Sequence, residues 1–502
     1  MIEKSIRSGK DYRESLQNRN IKLYLFGELV KNPVEHPIIK PSINAVAKTY
    51  DLANNNEVLA TAYSSISRRK VNRFLHIAEN PEDLVFQNKM QRRLGQLTGT
   101  CFQRCVGMDT LNTLHSITYD IDEKYNTSYH QYFLEFVRMA QEKNIVIGGA
   151  MTDPKGDRSK KPHEQEDADL YVHVVERNEN GVYVSGAKAH QTGCINSHWL
   201  IIMPNSKLDK EDKDYAIVGA IPVDAPNITF IYGRQSNDLR HLEGSQIDTG
   251  NFSFSGQEAL IIFNRVFIPN NLIFLNGEYE FTGSLVDRFT NYHRRSYVCK
   301  TGLGDVLIGA AATIADYNGV PNATHIKDKL VEMNHLNETI YGTGISSSYQ
   351  SYQLKSGVWM CDDILSNVCK QHVTRFPYEI SRLVQDIAGG LMVTLPSEKD
   401  FNHEEVGPLL FKYFKGRMGI SVENRFRILR LIENMTLGRN AVAYLVESMH
   451  GAGSPQAQRI VLYRKMELEF KKLLSKNLAG IETDEKELEN LPDFYKRVFD
   501  EL

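Results

Sequence analysis

The stretch DLYVHVVERNENGVYVSGAKAHQ, residues 169–191, decides the fold of the middle of this chain. β-Branched and aromatic residues alternate with polar ones on both sides of the turn-forming residues 178–181, which predicts two strands joined by a tight turn. Four segments continue the pattern, with prolines between them: HWLIIMP (198–204), YAIVGAIPV (215–223), ITFIYGR (228–234) and ALIIFNRVFIP (259–269). Residues 146–275 are therefore predicted to form an all-β domain, a small barrel or a sandwich.

Helical periodicity surrounds this domain on both sides. Apolar residues recur every three to four positions in VAKTYDLANN (46–55) and LEFVRMAQEKN (134–144), so residues 1–145 are predicted to be a helical domain. Long helical segments return in residues 276–502 and predict a helical bundle: 296–319, 324–353, 375–391 and 424–453. The resulting fold class is multidomain α+β.

Bulk composition narrows the functional classes. The 502 residues are 41% hydrophobic and 24% charged with a net charge of −3, which argues against a basic nucleic-acid-binding surface. The N-terminus is charged and lacks the apolar stretch of a secretory signal, and no membrane span is expected, which predicts a cytoplasmic protein. No dinucleotide-binding or phosphate-binding glycine loop stands between a strand and a helix, so nicotinamide or ATP chemistry is not supported.

Six cysteines are too few for a disulfide scaffold, and two of them form a pair. Cys101 and Cys105 are four residues apart, a spacing that on a helix places two side chains on one face, about 5–6 Å apart. With His293 and Cys299 they make a four-ligand set suited to zinc or to an iron–sulfur cluster. The alternative, given equal weight, is that the pair are small buried apolar residues.

Seven segments together resemble the dehydratase branch of the 4-hydroxyphenylacetate 3-hydroxylase family, whose members act on 4-hydroxybutyryl-CoA. They are CFQRCVGMD (101–109), MTDPKGDRS (151–159), GAKAHQTGCINSH (186–198), IPVDAPNITFIYGRQS (221–236), NYHRRSYVCK (291–300), GDVLIGAAA (304–312) and ESMHGAGSPQAQR (447–459). The resemblance runs from about residue 20 to about residue 481. It implies an acyl-CoA dehydrogenase-like fold, with an N-terminal helical domain, a middle β-barrel domain and a C-terminal helical bundle.

The resemblance also implies two cofactors, FAD and a [4Fe–4S] cluster held by Cys101, Cys105, His293 and Cys299. The cysteine pair separates the dehydratases from the flavin monooxygenases of the family, which lack a cluster. The family pattern places the histidine and the third cysteine seven residues apart, whereas here they are six apart. At about 100° per residue, six steps on a regular helix leave two side chains about 120° apart.

Three segments are expected to hold the flavin, each with an ordinary structural alternative. The first is the loop Thr152, Asp153, Pro154, Lys155, Gly156, Asp157 and Arg158, otherwise a surface turn. The second is the strand end with Gln191, Thr192 and Ser197, whose polar groups otherwise satisfy the backbone. The third is Gln385, Gly389 and Gly390, otherwise a helix C-cap. In related flavoproteins this last segment reaches the FAD of a neighbouring subunit, which implies a homotetramer with shared FAD.

The implied reaction is loss of water from 4-hydroxybutyryl-CoA to give crotonyl-CoA by radical chemistry, together with isomerisation of vinylacetyl-CoA. His293 is the expected base for the C2 proton, and Glu258 and Glu447 are carboxylates in apolar surroundings, suited to general acid–base work. Tyr297 and Lys300 are expected to donate to the leaving hydroxyl or the thioester oxygen. The alternatives are ion pairs for the two glutamates and a solvated helix position for Lys300.

Two rival functions stay open on the sequence. One is a flavin-dependent aromatic 3-monooxygenase of the 4-hydroxyphenylacetate type without a cluster. The other is a structural zinc held by the same four residues in a CoA- or flavin-binding module.

Overall fold

The computed structural model describes residues 5–235, 239, 247–248 and 250–482. Its N-terminal part is mainly helical, as predicted. The elements are α1 (Gly9–Ser15), β1 (Lys22–Leu25), β2 (Glu28–Leu29), α2 (Lys40–Asn55), α3 (Glu57–Ala60), β3 (Thr61–Ser64), β4 (Arg69–Asn72), α4 (Pro81–Thr98), α5 (Cys105–Tyr125) and α6 (Tyr129–Lys143). In α4 the cap Asn80 accepts a hydrogen bond from the Asp83 backbone, and Gly99 ends the helix in the left-handed region.

The predicted hairpin forms as expected. The middle elements are β5 (Ile147–Ala150), β6 (His173–Asn178), β7 (Gly181–Thr192), β8 (Trp199–Ile202), β9 (Ile217–Pro222), β10 (Ile228–Tyr232), β11 (Glu258–Pro269) and β12 (Ile273–Asn276). Strands β6 and β7 pair antiparallel with Asn178 opposite Gly181, and β7 pairs with β11 along its other edge. The four further predicted strands are β8 to β11.

The predicted barrel is wrong, because the described strands form two open sheets. One has the order β2-β1-β10-β11-β7-β6 and the other the order β12-β9-β8-β5. Strand β1, from the N-terminal part, pairs parallel with β10. The larger sheet is therefore extended by β1 and β2 and does not close into a barrel. Apolar side chains of this sheet, including Leu23, Val184 and Ile261, belong to one buried hydrophobic core. The boundaries at 145/146 and 275/276 stay predictions.

The C-terminal part is a helical bundle, as predicted, with one short hairpin. Its elements are α7 (Thr282–Ser296), α8 (Cys299–Tyr317), α9 (Thr324–Tyr349), β13 (Tyr352–Gln353), β14 (Trp359–Met360), α10 (Asp363–Val373), α11 (Phe376–Ala388), α12 (Glu398–Phe401), α13 (Gly407–Tyr413), α14 (Val422–Thr436), a π-helical turn (Val442–Val446), α15 (Glu447–His450), α16 (Pro455–Lys465) and α17 (Leu468–Leu478). Helix α8 packs against α4, α9, α11 and α14. The last twenty residues, 483–502, lie outside the described residues.

The segment 424–453, predicted as one helix, is broken between α14 and α15. The Asn440 amide donates to Asn434 Oδ1 at 2.9 Å and its own oxygen accepts from Thr100 at 2.8 Å. These side-chain bonds compete with continuous helical pairing, and the π-helical turn follows directly. Glu447 is the first residue after this turn.

One stretch of the described residues, Tyr279–Tyr317, is long and apolar enough to cross a membrane by length and composition. Of its most apolar window, 61% is buried inside the protein. This stretch covers α7 and α8, so its apolar surface is used in the core of the bundle.

Candidate active site

Three cysteine thiols from separate elements meet beside α8. Cys105 is the first residue of α5 and Cys299 the first of α8, and their thiols are in hydrogen-bonding contact. This contact raises the pKa of Cys105 and lowers the pKa of Cys299. Cys101 lies close enough to raise the pKa of Cys105 further. Cys105 and Cys299 also contribute to an apolar cluster, which agrees in part with the simpler alternative.

The expected helical spacing of Cys101 and Cys105 is wrong. Gly99 ends α4, and the chain runs through a non-helical stretch in which Gln103 has a φ of +68°. The buried Gln103 amide donates to the Ser42 carbonyl at 2.9 Å and holds this stretch in place. The two thiols are therefore brought together by a loop and a helix start, which spacing alone does not reveal.

His293 lies on α7 and is oriented by a buried carboxylate. Its Nδ1 is 2.8 Å from Asp109 Oδ2, and the Ser296 hydroxyl donates to Asp109 Oδ1 at 3.0 Å. Asp109 lies on α5, one turn after Cys105. Among the described residues, no hydrogen bond engages His293 Nε2, which leaves that nitrogen free to act as a ligand or a base.

A tight turn between α7 and α8 corrects the expectation of a regular helix between His293 and Cys299. Backbone bonds of the i→i+3 type run from Tyr297 to Arg294 at 3.3 Å and from Val298 to Arg295 at 3.2 Å. Such a turn advances about 120° per residue instead of about 100°. Three tight steps reduce the expected angular separation of the two side chains from about 120° to about 60°, which partly offsets the shorter spacing.

Glu258 and Glu447 form a carboxyl pair that shares a hydrogen bond. Burial raises the pKa of Glu258 well above its ordinary value, and the neighbouring Glu447 charge raises it further. Glu258 opens β11 opposite Thr192 of β7, whose hydroxyl donates to Glu258 Oε1 at 2.7 Å. The side chains next to Glu258 are polar, namely Thr192, Glu447 and Lys300, so its apolar surroundings stay a prediction.

Lys300 is the ionic partner of Glu447. Its Nζ lies 2.8 Å from Glu447 Oε2 and also donates to the Ala443 carbonyl in the π-helical turn. Lys300 is 2% exposed, so the alternative of a solvated helix residue is wrong. The ion-pair alternative for Glu447 is correct, and that pair lies inside the site.

Tyr297 lies against the turn that follows α15. A Cβ on Gly451 would stand 1.4 Å from the Tyr297 hydroxyl, so only glycine allows this approach. Burial raises the pKa of Tyr297 well above its usual range, and its hydroxyl has no hydrogen-bond partner within the described part of the chain. Tyr297 therefore keeps a protonated hydroxyl that can donate to a ligand.

Sequence reasoning missed three residues here, namely Lys370, Asp109 and Gln91. Lys370 of α10 is 0% exposed, donates to the Ser448 carbonyl at 2.5 Å and lies 3.6 Å from the centre of the Tyr297 ring. The Gln91 amide donates to Cys105 Sγ at 3.4 Å. A sequence signal for Lys370 does exist: it stands three residues before Val373, on the face of α10 that carries the buried residues.

The predicted flavin loop follows β5 and makes several bonds with its own surroundings. Asp153 forms an ion pair of 2.6 Å with the buried Lys188, and burial raises the pKa of Asp153. The Thr152 carbonyl accepts from the Gln191 amide at 3.0 Å. Pro154 is half-buried, Gly156 has a φ of +54°, and the exposed members are Lys155, Asp157 and Arg158. Lys155 and His450 both lower the pKa of the nearby His190, whose burial lowers it most, so the loop faces α15.

The other predicted flavin residues are dispersed. Ser197 is fully buried and its hydroxyl donates to the Gly193 carbonyl at 2.9 Å. Gly389 caps α11 with a φ of +74°, its N–H donating to the Gln385 carbonyl at 2.9 Å, as the C-cap alternative stated. Gly389 and Gly390 are exposed. Within the described ranges, no bond joins this segment to the flavin loop.

No group of three or more histidine, cysteine, aspartate or glutamate side chains surrounds a single-ion position in the described parts of the chain. The fit to a cluster therefore rests on donor chemistry. Three neighbouring cysteines, one with a lowered thiol pKa, and an imidazole with one nitrogen fixed by a carboxylate are donors that iron accepts.

Two family models match this chain. Residues 8–275 match 4-hydroxyphenylacetate 3-hydroxylase N terminal, and residues 282–480 match 4-hydroxyphenylacetate 3-hydroxylase C terminal.

Two similar proteins bear on function and a third bears on the fold. A 4-hydroxybutyryl-CoA dehydratase/vinylacetyl-CoA-Δ-isomerase of Clostridium aminobutyricum is 52% identical, covering 95% of this chain and 100% of that protein. A solved oxygen-tolerant archaeal 4-hydroxybutyryl-CoA dehydratase from N. maritimus is 70% identical, with a TM-score of 0.95 and 96% of each chain covered. The oxygenase component of 4-hydroxyphenylacetate 3-monooxygenase, solved with FAD, is 21% identical, with a TM-score of 0.80, and covers 95% of this chain and 100% of that one; it shows the fold alone.

Proposed function

The chain belongs to the 4-hydroxyphenylacetate 3-hydroxylase family, and from this membership we propose that it dehydrates 4-hydroxybutyryl-CoA to crotonyl-CoA and isomerises vinylacetyl-CoA. It is a lyase with isomerase activity in this proposal. The observation that carries it is the meeting of the Cys101, Cys105 and Cys299 thiols beside the Glu258–Glu447–Lys300 network. Identity of 52% over nearly the whole chain to a dehydratase supports it.

The cofactors we propose are FAD and a [4Fe–4S] cluster. Cys101, Cys105, Cys299 and His293 would hold the cluster. The loop 152–158 would hold FAD, with the exposed Lys155 and Arg158 available to phosphate oxygens. When bound, the flavin supplies one-electron oxidation and reduction, and an iron of the cluster supplies a Lewis acid for a departing hydroxyl group.

The carboxyl pair is suited to move a proton between two carbons of the substrate. Conversion to crotonyl-CoA removes one proton from C2, one from C3 and hydroxide from C4, and adds one proton at C4. Because burial raises the pKa of Glu258, we propose that Glu258 supplies the proton that C4 gains while Glu447 accepts the C3 proton. Lys300 holds the Glu447 carboxyl in place through its 2.8 Å contact with Oε2.

His293 is the proposed base for the C2 proton. Asp109 fixes Nδ1 and stabilises the imidazolium that forms when Nε2 takes the proton. Nε2 has one lone pair, so it serves as base or as ligand at any one moment. We propose that the protonated Tyr297 hydroxyl donates to the thioester oxygen or to the leaving hydroxyl. Of the two protons removed from C2 and C3, one replaces the hydroxyl at C4 and the other leaves with the hydroxyl as water.

Thr192, the last residue of β7, is proposed to link Glu258 to the flavin. Its hydroxyl hydrogen is used by Glu258, so its oxygen stays free to accept a hydrogen bond from the flavin. Gln191 and Ser197 are also proposed to contact the flavin, and both form hydrogen bonds within the chain. Gln385, Gly389 and Gly390, which are at or near the surface, are proposed to reach the FAD of a neighbouring subunit in a homotetramer. An acyl-CoA dehydrogenase-like domain arrangement and a cytoplasmic location are part of the same proposal.

Anaerobic purification followed by analysis tests the proposal. We expect flavin, four irons and four acid-labile sulfides per chain, and formation of crotonyl-CoA from 4-hydroxybutyryl-CoA. Flavin without iron, together with hydroxylation of a phenol in the presence of a flavin reductase, would replace the dehydratase by the aromatic monooxygenase. Stoichiometric zinc without turnover would replace it by the binding module.

A further inference from the structure

Three buried basic side chains each donate to a main-chain carbonyl of the segment that carries Glu447. Lys300 donates to Ala443, Lys370 to Ser448 and Arg294 to Ala452. Lys300 and Arg294 have other bonded partners as well, since Lys300 pairs with Glu447 and Arg294 donates to Asn367 at 2.8 Å. Lys370 differs from both in the groups that its Nζ contacts.

Lys370 is completely buried, and within the described residues it has no carboxylate partner in an ion pair. Burial lowers the pKa of Lys370 well below its ordinary value, and the nearby ammonium of Lys300 lowers it further. A buried lysine nitrogen without a carboxylate partner destabilises a fold, because burial penalises the charged form and shifts the group toward the neutral amine. An apolar side chain of the same length is often neutral or stabilising in such a place. Lys370 is therefore poorly explained as a residue that holds the fold together.

The two groups that Lys370 does touch both belong to the site. The Ser448 carbonyl, 2.5 Å from Nζ, directly follows Glu447 in the chain. The Tyr297 ring, 3.6 Å from Nζ to its centre, carries the hydroxyl that lies against Gly451. The contact of an amino group with an aromatic face and its hydrogen bond to a carbonyl are both directional and fix the positions of their partners.

Resting on the proposed dehydration, we propose that Lys370 is a positioning residue, which holds the Glu447 carboxyl through the Ser448 carbonyl and the Tyr297 hydroxyl through the face of its ring. Lys370 itself transfers no proton in this role. A displacement of about 1 Å in a reacting group lowers the rate by about 100-fold, which sets the size of the expected effect.

The test is Lys370→Met, which keeps the length of the side chain and removes the amino group. We expect kcat to fall about 100-fold with KM changed less than threefold, while FAD and iron contents stay at the wild-type level. We also expect a Tm equal to or above that of the wild type, because a buried polar nitrogen that lacks a carboxylate partner has been removed. A structural residue would show the reverse, a lower Tm with kcat nearly intact, and that result would overturn the proposal.

A matched control is Val373→Ala, one turn along the same face of α10 and in the same apolar cluster as Tyr297. It removes packing without removing a polar group, so we expect a lower Tm and a kcat within about threefold of the wild type. An equal loss of kcat in both variants would show that packing, and not the amino group, holds the site.

A crystal structure of the Lys370→Met variant separates this inference from the proposed function. The Tyr297 ring and the Glu447 carboxyl are expected to shift from their wild-type positions whichever reaction the enzyme catalyses. Unchanged positions would refute the positioning role even in an active dehydratase. If the wild type has no dehydratase activity, the proposed function fails, while these positions still decide the role of Lys370.

Discussion

The two halves of the candidate site differ in how many of their side chains are buried and bonded to partners within the same chain. The half around α8 joins thiols, carboxyls and lysines that are buried and bonded to each other, from Cys101 to Glu447. The half around the loop 152–158 ends in exposed side chains, and the segment 385–390 caps its own helix at the surface. The buried half is therefore fixed by contacts within the chain, whereas the tip of the loop 152–158 and the glycines at 389 and 390 face solvent.

The largest expected effect comes from the buried half. Glu447→Gln removes the proposed proton acceptor and the ionic partner of Lys300, so kcat should fall by about 10³-fold. Steady-state kinetics with 4-hydroxybutyryl-CoA measure it. The control is Glu379→Gln, an exposed glutamate on α11 paired with Arg382, which should retain full activity. A Glu447→Gln enzyme within tenfold of the wild type would remove Glu447 from the chemistry.

A smaller effect is expected from the carboxylate behind His293. Asp109→Asn keeps the shape but weakens the hold on Nδ1, so iron content or activity should fall by about 10- to 100-fold. Iron analysis and kinetics on the same preparation distinguish the two outcomes. If neither quantity changes, His293 is not held for catalysis or for a cluster by this contact.

The exposed half should respond more weakly. Arg158→Ala removes one solvent-exposed cation from the flavin loop, and we expect the Kd for FAD to rise about fivefold, since such a contact contributes about 1 kcal/mol. Titration of the flavin-free protein with FAD measures the change. The exposed Arg382→Ala on α11 is the control, with an unchanged Kd. A loss as large as that of Glu447→Gln would abolish the contrast between the two halves.

The smallest expected effect concerns the pH dependence of stability. Burial raises the pKa of Glu258 in the folded protein, so its contribution to stability is fully present below the ordinary glutamate pKa and is lost as the pH rises through the folded value. Glu258→Gln removes this loss. The Tm of the variant should therefore exceed that of the wild type most at alkaline pH, and the gap should close toward pH 4. A gap that widens on acidification would reverse the assignment of the shared proton.

Local patterns predicted the elements of this fold well. The hairpin of β6 and β7 follows from alternation and a turn, and α2, α6, α9 and α11 follow from helical periodicity. The open sheets were not predictable from pattern, because the pairing of β1 with β10 joins Lys22 to Thr229 across distant parts of the chain.

The chemistry of the site was predicted in residue identity more than in geometry. Glu258, Glu447, Lys300 and the cysteines are all brought together, but Gln103 at a positive φ and the tight turn at Tyr297 leave no periodic signal. Lys370 stands on the buried face of its helix, and a lysine in such a stripe is ordinarily assigned to solvent. The flavin roles of the loop 152–158 and of the helix cap at Gly389 remain predictions, because their proposed partners, FAD and a neighbouring subunit, are not part of the chain.

The parallel pairing of β1 with β10 also has a consequence for biosynthesis. Lys22 leaves the ribosome 207 residues before Thr229, its partner across the sheet. At about 5–20 residues per second, the strand waits about 10–40 s with its apolar side chains uncovered. During that interval the nascent chain is exposed to aggregation, and chaperone binding near its start would protect it.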